Sequence, residues 1–195
     1  MSGLLKNIAA KLAAVWKTAI CAVKAFLDIR KEDNLGSGSK KIAVMAAGRA
    51  IYILADYWTA FLCAGLVSTL KYWNRSSFEI FTATWAYDFI VAVIFLLASI
   101  KSKRDITLGE AFRRAADVVR SSHKVAGYLT FGYLTIKATI WDGPEQIAIF
   151  FKKEIKTLPR MVWLLFFLTI VQGGFWAWVY SLGYDSVSGL IKHIF

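Results

Sequence analysis

The sequence predicts an all-α, polytopic membrane protein with about four transmembrane helices and further amphipathic helices along the bilayer surfaces. Three observations carry this expectation. Residues 42–70, 80–100, 125–141 and 161–184 hold apolar runs long enough for helices crossing a hydrocarbon layer roughly 30 Å thick. The basic residues collect between those runs and alternate in number: eight Lys or Arg in residues 1–41, two in 71–79, seven in 101–124, four in 142–160 and one in the tail. That alternation puts the amino end and the long middle loop on the cytoplasmic or matrix side, and four spans then return the carboxyl end to the same side. Tyr72 and Trp73 after the first run, and Trp163, Trp176, Trp178, Tyr180 and Tyr184 in the last, are placed as interfacial belts.

With 195 residues, 57% of them hydrophobic, and only two prolines, the chain suits one helical unit. It divides into a basic amphipathic segment and linker, residues 1–41, and a membrane domain, residues 42–195. The net charge of +11 lies between greasy runs and not on a recognition helix, so anionic lipid headgroups are the expected partner and nucleic acid is not. Cys21 and Cys63 fall at different depths, which argues against a disulfide, and no Cys/His spacing suggests a metal or calls for a cofactor.

Residues 3–29 place Leu5, Ile8, Leu12, Val15, Ala19, Ala22 and Phe26 on one helical face, with Lys6, Lys17 and Lys24 opposite and Lys11 flanking. Two readings fit: a helix lying in the headgroup plane, which the sequence favours, or a cleaved targeting peptide. "RKEDNLGSGSKK", residues 30–41, reads as a charged linker. The first span carries Arg49 near its inner end. In the middle loop, Thr107 and Glu110 have capping-box spacing. Leu108, Phe112, Ala115 and Val119 make an apolar stripe, and Glu110 with Arg114 and Asp117 with Arg120 can pair on the wet side. Arg113, Arg114 and Arg120 join the amino-terminal lysines as candidate contacts for lipid headgroups or partners. The third run, residues 125–141, is the shortest and contains Lys137. Residues 142–159 read as a third surface helix, with Asp142 as cap, Pro144 in the first turn, Glu145 at the box position, an apolar face from Ile147 to Leu158, and Pro159 as a stop.

Asp56 and Asp88 interrupt the first two spans. An ionised Asp at a helix centre costs about 2.5 to 3.5 kcal/mol on insertion scales, so each must face protein, water or a cation. Arg49, seven residues before Asp56, and Lys137, at a depth overlapping Asp88, are the expected partners in an intramembrane charge network. Two readings follow: structural pairing that holds helices or subunits together, or carboxylates that relay protons or bind a cation. Structural pairing is favoured, because basic groups exist at compatible depths and no broken helix or Gly/Pro pair marks a substrate site.

Enzyme chemistry finds little footing. Tyr87-Asp88 resembles the YD pair of intramembrane aspartyl proteases and "SLGYD", residues 181–185, their GxGD box, but the glycine spacing differs and Asp185 falls at the membrane edge, where it cannot form a dyad with Asp88. His123 and His193 have neither a GxSxG elbow nor an HExxH beside them.

Within residues 100–184, "DITLGEAFRRAADVVRSSHKVAGYLTFGYL" resembles a pattern in several bacterial integral membrane families of unknown function, in which a capped LGEAxRRA helix leads into a span. The resemblance implies a small helical membrane protein without catalytic residues. The expectation is therefore a non-enzymatic, multi-pass subunit with a structural or assembly role in a membrane complex, in a bacterial inner membrane or alternatively the mitochondrial one. The alternative is an oligomeric ion- or proton-coupled transporter or channel using Asp56 and Asp88. A third class, a membrane sensor or remodeller acting through its basic helices, rests on residues 1–30.

Overall fold

A computed structural model describes residues 2–29, 35–102 and 105–194, and among them every regular element is helical. The helices are α1 (Ser2–Phe26), α2 (Leu35–Tyr72), α3 (Ser77–Ser102), α4 (Gly109–Ser122), α5 (Lys124–Lys137), a π-helical turn (Ala138–Asp142), α6 (Pro144–Phe150), α7 (Lys152–Ile155) and α8 (Leu158–Ile194). Three are long and apolar enough to cross a membrane by length and composition: Gly36–Tyr72, Ser77–Ser102 and Leu158–Gly189. The described residues are thus all-helical in their regular structure and compatible with a multi-pass membrane protein. Exposed side chains such as Ile51, Leu54, Phe61, Ile94 and Phe167 line these helices, an arrangement that suits lipid and not water as the surrounding solvent.

Helices α2, α3 and α8 form the bundle, with α8 packed most extensively on α3. Gly173 permits that packing: a Cβ added there would lie 2.8 Å from the Trp85 Cα, so the two backbones meet where no side chain fits. Trp85 and Phe89 then close edge-on around Phe166. Near one end Ala92, Leu96, Met161 and Leu165 join Ala148 and Ile149 of α6 in a buried cluster, and toward the other Val67, Ile80 and Ala177 make a second.

The expected fourth span takes a different form. Helix α5 has 14 residues and continues through the five-residue π-helical turn to Gly143, where the chain reverses into α6. The rings of Phe131 and Phe150 meet at 5.0 Å, which makes α5 and α6 two arms of a hairpin. Its tip lies deep among the spans: the Trp176 indole N–H donates to the Ile140 carbonyl at 2.9 Å. Trp176 is 18 residues into α8, about 27 Å along its axis at 1.5 Å per residue. Residues 142–159 therefore do not make one surface helix. All seven residues of α6 are buried, because its polar and apolar sides are both covered by α3, α4 and α8. Pro144 occupies the first turn as expected, but Gly143 and not Asp142 precedes it, at φ 97°, and Pro159 opens α8 instead of stopping α6. Gly143 is required twice over: that φ suits glycine, and a Cβ would strike the Glu145 carboxylate.

Two further local expectations change. Residues 30–34 of the expected linker lie outside the described residues, and residues 35–41 are already helical, since extending an existing helix adds one hydrogen bond per residue fixed even through Gly and Ser. The Thr107/Glu110 box does not form. Leu108 precedes α4 in a left-handed conformation, the Asp105 carboxylate accepts the Ala111 N–H at 2.6 Å, and the Glu110 side chain turns to Lys152. Burial is the largest influence on Asp105 and raises its pKa against these backbone hydrogen bonds.

Helix α4 packs along α1, with Phe112 edge-on to Phe26 and the Arg114 guanidinium donating to the Ala25 and Phe26 carbonyls. These carbonyls belong to the last turn of α1, where the Ala25 oxygen also accepts the Asp28 N–H at 3.2 Å, and a cation there also meets the negative end of the α1 dipole. Ile8, Leu12, Val15 and Trp16 of α1 remain exposed.

Candidate functional site

Helices α2, α3 and α8 and the hairpin tip border a partly open cavity of about 300 Å³. Asp56, Asp88 and Glu145 are among its lining residues, one each from α2, α3 and α6. Between them stand aromatic rings, among them Tyr87, Trp141, Trp176 and Tyr180, and the Gln172 amide.

Each carboxyl is held differently. Glu145 is 2% exposed and meets the Tyr52 hydroxyl, which also lies 2.5 Å from the Asp142 carbonyl. One hydroxyl hydrogen serves two acceptors only by being shared, which weakens both bonds. A protonated Glu145 resolves the geometry by donating to the Tyr52 oxygen while Tyr52 donates to Asp142. Burial is the dominant influence on Glu145 and pushes its pKa up to about 8, in favour of this protonated form. Asp88 Oδ1 is 4.0 Å from the Cys63 thiol, and its Oδ2 is buried without a hydrogen-bond partner. The Asp56 side chain stands one turn from Thr59, whose hydroxyl is turned to the Asp56 carbonyl at 2.8 Å and not to its carboxylate.

The four residues expected to form a charge network are brought to one region but paired otherwise. Arg49 stacks over the Tyr52 ring at 4.7 Å, donates to the Thr107 carbonyl at 3.4 Å and approaches Asp142 at 3.9 Å. Lys137 pairs with Asp142, five residues on. Both cations thus converge on Asp142. Among the described residues neither Asp56 nor Asp88 makes an ion pair. Asp185 pairs with Lys71 at 2.9 Å, toward the opposite ends of α8 and α2 from Arg49.

The candidate headgroup contacts divide. Lys11, Lys17 and Lys24 are exposed along α1, and the Lys6 side chain lies outside the description. Arg120 is exposed at the end of α4, its guanidinium over the Phe131 ring at 5.5 Å. Arg113 turns inward: it is 7% exposed, lies over the Phe131 and Phe150 rings, and bonds Asp117 at 3.1 Å and Glu154 at 2.5 Å. Arg114 closes the end of α1 instead of facing lipid.

Tyr52, Asp142, Glu145 and Trp176 are site residues that the periodicity did not single out. The available signal was "DGPE", residues 142–145: two acids flanking a Gly-Pro break between two apolar stretches mark a turn buried among helices as well as a cap. Cys21 and Cys63 are free thiols. Among the described residues no three His, Cys, Asp or Glu side chains stand close enough to hold a metal ion. No family model, curated protein or solved structure matches this chain.

Proposed function

We propose that this protein is an ion- or proton-coupled membrane transporter whose coupling groups are Asp56, Asp88 and Glu145. The observation that carries the reading is the pairing of both neighbouring cations with Asp142, which leaves Asp56 and Asp88 facing a cavity without an ion pair. Structural carboxylates inside a bundle are kept by partners, whereas carboxylates that exchange protons or cargo need a face open to them. The broken helix at Gly143-Pro144, set against the cavity, supports the same reading. Non-helical backbone at membrane depth is tolerated where protein or a water-lined cavity satisfies it, and discontinuous helices frame transporter sites. The activity is translocation and not bond chemistry.

In this reading α2, α3 and α8 span the bilayer and the α5–α6 hairpin re-enters from the side of α4, so the two chain ends lie on opposite faces. Helix α1 rests on the membrane surface with Ile8, Leu12, Val15 and Trp16 toward lipid and Lys11, Lys17 and Lys24 toward anionic headgroups. That uncovered apolar face also supports a second reading, a docking surface in a larger membrane assembly, with a structural role for the chain.

The deciding experiment is proton flux into proteoliposomes, read with an entrapped pH dye, for the wild type and for Asp56→Asn and Asp88→Asn. Transport predicts flux in the wild type that falls at least tenfold in both variants while they remain monodisperse in detergent. Absence of wild-type flux, or unchanged flux in both variants while they remain monodisperse, rejects transport in favour of the structural role.

A further inference from the structure

We propose that the cavity binds a monovalent organic cation, an amine or quaternary ammonium of about ten heavy atoms. The inference rests on the transport reading and specifies its cargo. Charge sets the sign: with Glu145 protonated, the carboxyl groups left to set it among the lining residues are those of Asp56 and Asp88, and Asp88 Oδ2 has neither solvent nor a hydrogen-bond partner. Arg49, the cation nearest to Asp56, is engaged by Asp142, Thr107 and the Tyr52 ring. A ligand entering this space gains most by bringing positive charge.

Wall chemistry separates an organic cation from a metal ion. Alkali and divalent ions replace their hydration with a close shell of oxygen atoms, typically six or more at 2.0–2.6 Å for the divalent ones. Among the described residues no such cluster of side chains exists. A volume of about 300 Å³ also exceeds what a bare ion fills and falls at the lower end of small-molecule pockets, which run from about 300 Å³ upward. Trp141, Trp176, Tyr87 and Tyr180 supply what an organic cation requires: ring faces whose quadrupole attracts a diffuse positive charge and whose surface packs against its carbon atoms. The described cation–π contacts of this protein fall on Tyr52, Phe131 and Phe150, so among the described residues no cationic side chain occupies the cavity rings, two of which, Trp176 and Tyr180, stack on each other at 5.3 Å.

The test uses the full chain in detergent micelles and two probes of nearly the same shape, benzyltrimethylammonium and its uncharged carbon isostere neopentylbenzene, with binding read from tryptophan fluorescence and by calorimetry. The expected result is saturable binding of the ammonium, at least tenfold tighter than that of the isostere, unaffected by equimolar sodium and weakened at least tenfold in Asp88→Asn. Equal binding of the two probes, displacement by equimolar sodium, or no binding overturns the proposal. The isostere comparison is made on the wild type, so it holds even if Asp88→Asn fails to fold. Proton flux in proteoliposomes without ammonium binding overturns the organic cargo and leaves the transport reading standing. Absence of both removes the two together.

Discussion

Replacing Glu145 with Gln keeps the shape and a hydrogen-bonding side chain at the hairpin tip but removes its proton chemistry, so the variant isolates one titration. Glu145 takes up a proton at about pH 8 in the folded chain and, at its ordinary value of 4.5, in the unfolded one. A carboxyl whose folded pKa is raised contributes stability that is fully present below the unfolded value and lost as pH rises through the folded value. Between those limits the unfolded state has released a proton that the folded state retains, so stability falls by about 1.4 kcal/mol per pH unit. From pH 5.5 to pH 7.5 that amounts to about 2 to 3 kcal/mol. Arg49, Asp56, Asp142, Lys137 and Tyr52 surround the group and remain in both proteins, so their own titration largely cancels in the difference. Measured by SDS-induced unfolding in mixed micelles, the wild type should lose about 2 to 3 kcal/mol more than Glu145→Gln over this range. Parallel stability curves for the two proteins would refute both the protonated Glu145 and the hydrogen-bond order assigned through Tyr52.

Five further variants have expected outcomes in the same unfolding assay. Gly173→Ala should cost about 1 to 3 kcal/mol by driving a methyl into the α3 backbone, whereas Gly174→Ala, whose Cβ would meet only the Phe81 ring at 3.4 Å, should change stability by less than about 0.5 kcal/mol. Gly143→Ala should cost about 1 to 3 kcal/mol from its positive φ alone, with a further loss from the clash with Glu145. Arg113→Met should cost about 1 to 3 kcal/mol by stranding Asp117 and Glu154 and uncovering two rings. Lys71→Ala, which opens only the exposed pair with Asp185, should stay within about 1 kcal/mol.

The spans were legible because their signal is local. A run such as residues 80–100 needs no partner to be recognised as a membrane-length helix, and the structure places α3 over it. The hairpin was hidden because its signals are individually ambiguous. Pro144 and Glu145 fit the first turn of a surface helix as well as that of a buried one, and Ile147 to Leu158 show an apolar face either way. What decides between them is that Gln146 donates to the Thr107 carbonyl at 2.6 Å and Tyr52 reaches Glu145 across 93 residues, and one sequence does not contain such pairings. Arg113 and Arg114 fail for a related reason. Periodicity places them on the wet side of an isolated α4, but α1 packs on one flank and the α5–α6 hairpin on the other, so both guanidinium groups become interior connectors.

Charge placement explains why the transport reading now outranks the structural one that the sequence favoured. That preference rested on Arg49 and Lys137 being free to neutralise Asp56 and Asp88. Asp142 draws both of them: Lys137 is tied to it from five residues earlier in the chain and Arg49 by its approach from α2. Had Asp142 been absent, the same two cations would balance the two span carboxylates and the cavity would need nothing more. With Asp142 present, the bundle carries more acid than base around one cavity, and a low-dielectric interior makes uncompensated ions costly by several kcal/mol each. The remaining charge is met either by protons, as at Glu145, or by a cation from outside. Asp142→Asn separates these views. It should release Arg49 and Lys137 toward the cavity and abolish cation binding while leaving the fold intact. A variant that binds benzyltrimethylammonium as well as the wild type would mean that the two cations never governed the site.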